Sequence, residues 1–299
     1  MPFKPAYLDL LDSGKFKEVV ARFDTHRHQC QLCPHNCRVD RHVERGVCDA
    51  PAQVRIASFG PHFGEESVLV GKRGSGTIFF SHCNMRCVYC QNYTISYEGE
   101  GKLISNAHLA DIMLTLQNFY QCHNINLVSP THYLSNIVTA IYLAAQNGLK
   151  IPIVYNTGGY ENIDVLKDLE GIVDIYMPDF KYIDNETAYV YSNVMNYGDV
   201  IQDVLLEMQR QVGVLKTKRK LTYRGLLIRH LMLPHETEAT RAILDFIHTH
   251  LPEKTHVNLM PQYRPAHRAF DYEPLRHRIK RQDHQEMVTY GRQLGLTII

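Results

Sequence analysis

The sequence lacks an excess of charge of either sign. Its 32 Lys and Arg residues face 31 Asp and Glu, for a formal net charge of +1, which argues against a surface built to track nucleic acid. One basic run, Lys216, Lys218, Arg219, Lys220 and Arg224, lies between apolar segments and reads as a solvated loop. No apolar stretch approaches the length of a membrane span. The opening MPFKPAYLDLLDSGKF lacks the charged, apolar and small-residue regions of a signal peptide. The expectation is a cytoplasmic protein with neither a membrane nor a nucleic-acid partner. Internal repeats and low-complexity segments are also missing.

What the chain has instead is cysteine, in two tight groups. Eight cysteines without a secretion signal point to a reducing compartment and to metal or redox chemistry. Seven of them lie between positions 30 and 90; Cys122 stands alone and reads as a buried structural thiol. At 299 residues, 44% hydrophobic and 21% charged, the chain can bury a sizeable core and suits an α/β barrel with an extension.

Phe16, Val19, Val20 and Phe23 mark one face of a helix over 14–23, with Ser13 as its cap. A Cys-, Arg- and His-rich stretch follows to about residue 52. Residues 1–60 therefore read as a small N-terminal extension organised partly by metal, 61–265 as the main domain, and 266–299 as a C-terminal helical extension. After GKRGSG (71–76), short apolar runs alternate with amphipathic segments of helix length. The runs are 77–81, 125–129, 151–155, 173–177, 226–233 and 256–260; the helical stretches are about 106–122, 135–147, 161–170, 186–212 and 237–250. Asn106 is the expected cap of the first of these, and Gly148 closes the second. Runs that are apolar on consecutive positions suit parallel strands covered on both faces. A right-handed βα series follows, as an open doubly wound sheet or as a barrel.

Beyond the first of these strands comes Cys83-Asn84-Met85-Arg86-Cys87-Val88-Tyr89-Cys90, with C-x3-C-x2-C spacing. Three thiolates on one compact loop can hold three irons of a cubane and leave the fourth open to an external ligand. A zinc site would want a fourth ligand such as His82. The loop's place at the carboxyl end of a βα strand, where such folds put their chemistry, favours iron–sulfur.

This motif, with an aromatic before the last cysteine, resembles the radical S-adenosylmethionine superfamily. The block GSGTIFFSHCNMRCVYCQNY (74–93) is similar to its pyruvate formate-lyase-activating-enzyme-like branch, as are NLVSPTHY (126–133), VYNTGGYE (154–161), DIYMPDFKY (174–182), QVG (211–213), RGLLIRHLMLP (224–234) and NLMPQYRP (258–265). The likeness covers roughly residues 28 to 299. It implies a partial (β/α)6 TIM-like barrel, a [4Fe–4S] cluster on Cys83, Cys87 and Cys90, and S-adenosylmethionine as the second cofactor. It also implies a reducing donor such as flavodoxin or ferredoxin.

The resemblance places Tyr89, Thr131, Asn156, Asp179, Lys181 and Arg229 as cofactor-binding candidates; no catalytic residue is assignable beyond the cluster. Asp179-Phe180-Lys181 matches an Asp-Leu-Lys at the end of the fourth strand, where acid and lysine suit ribose hydroxyls and carboxylate. An ion pair closing the barrel rim is the competing account of Asp179. Of Arg229 and His230, only one can point inward from a strand, and Arg229 is preferred. Ser129-Pro130-Thr131-His132 stands where activating enzymes carry Gly-Gly-Glu-Pro, which leaves Thr131 or backbone carbonyls for the ammonium. Gly158-Gly159-Tyr160-Glu161 follows the third strand and reads as a βα turn. Tyr263 replaces a histidine of the activating enzymes.

Cys30, Cys33, Cys37 and Cys48 make a complete four-thiol set, for structural zinc or a second iron–sulfur cluster. The expected function is reductive cleavage of S-adenosylmethionine to a 5′-deoxyadenosyl radical that takes hydrogen from a substrate. That substrate is a glycine of a glycyl-radical enzyme, or another protein, peptide or small molecule. A rival from another class is a non-catalytic iron–sulfur or zinc scaffold, or a redox relay, on the same fold. The discriminating feature is an open cavity beside Cys83, Cys87 and Cys90.

Overall fold

The computed structural model describes residues 3–299. In chain order its strands are β1 (Arg55–His62), β2 (Ser75–Phe80), β3 (Lys102–Leu103), β4 (Ile125–Val128), β5 (Ile153–Thr157), β6 (Ile175–Pro178), β7 (Lys216–Lys218), β8 (Leu221–Leu231), β9 (His256–Met260) and β10 (Thr297–Ile298). Strands β2, β4, β5, β6, β8 and β9 run parallel, and each neighbours the next in that order. Helices Asn106–Asn118, Leu134–Gln146, Ile163–Asp168, Tyr197–Val212 and Thr237–His250 make the crossovers.

Because the order never reverses, the sheet has no topological switch point, and it curls as a single βα series. The result is the expected partial (β/α)6 barrel. Its strands carry the apolar consecutive positions of sheets covered on both sides: all of Ile153–Thr157 and all of Ile175–Pro178 are buried. Two flanks were not visible as periodic runs. β1 pairs antiparallel with β2 and β3 on one edge, and β10 adds parallel to β9 on the other.

Three local expectations are corrected. Ser13 does not cap the helix after it; it ends Tyr7–Asp12, its Oγ donating to the Leu10 carbonyl at 3.1 Å, and the Gly14 turn separates it from helix Phe16–Thr25. The cap of Asn106–Asn118 is Ser105, whose Oγ accepts from the His108 N–H at 3.1 Å. Asn106 instead accepts from the Asn136 side chain. The stretch 186–212 is two helices, Asn185–Ser192 and Tyr197–Val212, broken where Asn193 turns left-handed at φ 55°. The break leaves the Tyr191 and Ser192 carbonyls free to hold another segment, as described below.

The N-terminal helices dock on the outside of the barrel, away from its mouth. Phe16 packs edge-on against Tyr142 of helix Leu134–Gln146 at 5.4 Å. Tyr7 donates its hydroxyl to the Ile151 carbonyl, and Asp174 accepts from the Ala6 and Ile153 N–H groups at the starts of β5 and β6. Among the described residues, no helix is long and apolar enough to cross a membrane. Phe16 is fully buried, so Phe16→Ala is expected to cost about 3–5 kcal/mol, read as a lower midpoint in urea unfolding.

Candidate active site

The Cys83–Cys90 loop leaves the carboxyl end of β2 and is tied to four other segments. Asn84 donates its amide to the Tyr160 carbonyl at 2.7 Å. The N–H groups of Arg86 and Val88 donate to the Ser192 and Tyr191 carbonyls at the helix break, at 3.1 and 2.8 Å. The Val88 carbonyl accepts from the Arg268 N–H at 2.8 Å, and the His82 N–H reaches the Ile95 carbonyl at 2.9 Å. His82 takes φ 69° to do so.

Each thiol has a polar neighbour. The Met85 N–H donates to Cys83 Sγ at 3.4 Å, Ser192 Oγ donates to Cys87 Sγ at 3.0 Å, and Cys90 Sγ lies 3.2 Å from Ser96 Oγ. All three thiols are free. Burial, with Cys87 beside it, pushes the Cys83 thiol up to about 12. Thiolates here therefore need positive charge to stabilise them, and three sulfurs on one loop suit three irons of a cubane.

A cavity of about 190 Å³ opens beside the three cysteines. Asn156, Asp179, Lys181 and Arg229, on the ends of β5, β6 and β8, face it together with His82, Met85, Ser129 and Thr157. Asp179 joins the two cations: Lys181 Nζ lies 2.6 Å from one carboxylate oxygen and Arg229 Nε 2.7 Å from the other. Arg229 Nη2 also donates to Asn156 Oδ1 at 2.7 Å. Burial works against the Asp179 charge, yet Arg229 and Lys181 hold its carboxyl below the usual range. Lys181 is in turn raised: burial opposes its charge, but Asp179 and Cys87 outweigh it. Asp179 thus forms the ion pair and also lines the cavity, so the two accounts of it describe one arrangement.

His230, the neighbour of Arg229, points the other way. Its Nδ1 meets the Phe180 carbonyl at 2.7 Å and its Nε2 meets Thr240 on the covering helix at 2.9 Å. The alternation of the strand separates the two side chains.

Two expected cofactor contacts lie elsewhere. Thr131 turns its hydroxyl to the buried Glu161 carboxylate at 2.8 Å, where Thr157 and Tyr155 also donate. A carboxylate without water outcompetes the cavity for that hydroxyl. Ser129, left-handed at φ 54°, faces the cavity in its place. Tyr89 is buried behind the loop, its ring on Tyr263, in a chain of hydroxyls from Tyr89 through Tyr182 and Ser192 to Cys87. Tyr263 donates to the Leu275 carbonyl and stays out of the cavity. Gly159, at φ 80°, makes the expected turn. No spacing rule marks Ser129, Thr157 or Ser192, because each reaches the site from a different element.

The four N-terminal thiols form a separate group. Cys30, Cys33 and Cys48 are buried, Cys37 is half-buried, and all are free. Cys122 is buried in the connection after helix Asn106–Asn118.

The radical SAM superfamily model matches residues 77–247, more than half of the chain, and the chain belongs to that superfamily. An uncharacterized protein of Methanocaldococcus jannaschii is 32% identical over 280 residues, covering 90% of this chain and 76% of its own length. Among solved structures, SuiB of Streptococcus suis bound to the precursor peptide SuiA aligns with 73% of this chain at 12% identity and a TM-score of 0.49; the alignment spans 46% of SuiB, about half its length. A domain of the pyruvate-formate lyase-activating enzyme from Bacteroides vulgatus aligns over 52% of this chain and 83% of its own, at 13% identity and a TM-score of 0.37. The cofactors of the superfamily are a [4Fe–4S] cluster and S-adenosylmethionine, and the donor set beside the cavity fits both.

Two buried histidines brace this end of the barrel. Burial lowers His230 to about 4 and His132, which meets the Ser81 carbonyl, to about 3. Both stay neutral in the fold while the unfolded chain binds protons below about pH 6.5. Their contribution is full above that value and is lost as pH falls towards 4, by up to about 1.4 kcal/mol per histidine per unit. Urea titrations between pH 7 and 5 should show this fall, and it should be smaller in His132→Gln.

Proposed function

We propose that this chain abstracts hydrogen from a glycine of a polypeptide substrate, using its radical SAM centre. The observation that carries the reading is the position of the cavity, beside Cys83, Cys87 and Cys90 and lined by Asn156, Asp179, Lys181 and Arg229. Cofactor would occupy that space, so the hydrogen donor comes in at the rim, where a segment of a larger chain can reach it. Glycine presents its Cα with no side chain in the way. The motifs shared with activating enzymes support the same substrate class.

When bound, cluster and S-adenosylmethionine supply reductive cleavage of a sulfur–carbon bond and a 5′-deoxyadenosyl radical. Cys83, Cys87 and Cys90 would hold the cluster. Lys181 and Arg229 suit the cofactor's carboxylate; Asp179, Asn156 and Ser129 suit its ammonium and hydroxyls. Asp179 keeps both cations ordered before any ligand arrives, so little ordering is left for binding. Phe79, Phe80, Met85 and Val128 give the cavity an apolar wall that excludes water.

The test is an oxygen-free reconstitution with dithionite and S-adenosylmethionine. Wild type should yield 5′-deoxyadenosine and a paramagnetic spectrum that shifts with cofactor; Cys87→Ala should yield neither. Arg229→Met removes a charged donor worth about 1.5–3 kcal/mol, so cofactor affinity should fall roughly 10- to 100-fold. For the substrate, extract from cells fed Cα-deuterated glycine is split by size. Deuterium carried into 5′-deoxyadenosine by the macromolecular fraction supports the reading, and deuterium from the small-molecule fraction overturns it. A reduced cluster that neither shifts nor cleaves would favour the scaffold or relay.

A further inference from the structure

The chemistry above leaves the four N-terminal thiols unused, although the backbone is shaped around them. The Cys30 N–H donates to the Val39 carbonyl at 3.0 Å, and the Arg38 N–H returns to the Cys30 carbonyl at 2.8 Å. The Asn36 N–H closes a turn on the Cys33 carbonyl, and the Val47 N–H points at Cys37 Sγ at 3.5 Å. Asn36, Arg38 and Asp49 all take left-handed conformations, a cost that folding tolerates where the surroundings demand it. A Cβ on Gly46 would meet Cys37 Sγ at 2.9 Å. Cys33 lies within electrostatic reach of the other three thiols. Four unpaired thiols, three buried and one half-buried, brought together in this way form a ligand set.

Four thiolates suit tetrahedral zinc or a cubane alike; what favours a redox-active cluster here is where the set sits, against the Cys83–Cys90 loop.

The N-terminal set is also fastened to the radical SAM loop at residues adjoining the cysteines. His35, two positions after Cys33, donates from Nε2 to the Asn84 carbonyl at 2.8 Å. Arg86, before Cys87, donates to the carbonyl of Val47, which precedes Cys48, at 3.2 Å. Asp49, after Cys48, places Oδ2 4.0 Å from Nδ1 of His82, which precedes Cys83. That His82 nitrogen is buried and has no hydrogen-bond partner.

We propose that Cys30, Cys33, Cys37 and Cys48 hold a second [4Fe–4S] cluster, coupled electronically to the cluster of Cys83, Cys87 and Cys90 through the Asp49–His82, Val47–Arg86 and His35–Asn84 contacts. The step moves one electron and no atoms. A low-potential one-electron donor, a reduced ferredoxin or flavodoxin, loses the electron; the radical SAM cluster gains it, and the N-terminal cluster returns to its starting state. The acceptor rests on the radical SAM reading; the second cluster does not.

Iron and zinc are counted in the full chain reconstituted without oxygen, and the dithionite-reduced protein is examined by electron paramagnetic resonance. Two cubanes give about eight irons per chain and no zinc. The triple variant Cys83→Ala, Cys87→Ala, Cys90→Ala keeps about four irons, with a simple spectrum, whereas wild type shows the broadening of two spins in contact. Zinc in the wild type, or only about four irons, overturns the second cluster. Both clusters present with an unbroadened, additive spectrum overturns the coupling. Should the triple variant misfold, the wild-type metal count and spin-relaxation rate decide alone. Two clusters that ignore S-adenosylmethionine would defeat the radical reading and leave the second cluster standing; one responsive cluster with zinc would do the reverse.

Discussion

Three thiols are brought together on a single short loop, and the surrounding fold is arranged to hold that loop still. A flexible loop would lose that geometry to entropy. Here the chain pins it from the turn after β5, from the break between two helices, from the short helix after the loop, and from the C-terminal segment at Arg268. The helix break at Asn193 is a consequence: the carbonyls it frees go to Arg86 and Val88. A continuous helix would have kept those carbonyls for itself.

The charged residues of the cavity obey the same economy of partners. Two cations buried near the sulfurs would be costly alone, and Asp179 between them offsets the cost on both sides. Glu161 lies buried nearby with three hydroxyl donors and no cation. Burial raises its pKa even so, which sets it apart from Asp179. One carboxylate orders the cations that face the cavity; the other knits the ends of β4 and β5 to the loops that follow them.

Much of this was legible beforehand. The central parallel strands announced themselves because burial on both faces leaves no room for polar alternation, as along Ile153–Thr157 and Ile175–Pro178. Strand β1 did not, because it lies between β2 and the two-residue β3 with mixed exposure along Arg55–His62. Arg229 was separable from His230 by the pleat alone. Thr131 was misplaced because a hydroxyl at a strand end has no fixed aim, and the competing Glu161 is thirty positions away. Tyr89 was misplaced for a similar reason: its partners Tyr182 and Tyr263 come from the loops after β6 and β9, far away in the chain.

The sequence by itself determined the grouping of the cysteines and the class of fold. Cysteine spacing within a loop is local, and the strand pattern is a periodicity, so both can be read from neighbours in the chain. The tertiary structure decided which polar groups reach the cavity and which are held by other partners. It also brought Asp49 beside His82 and His35 beside Asn84, joining the two cysteine groups. Those pairings are made between residues 33 and 49 positions apart in the chain, and only the closing of the barrel brings such residues into reach.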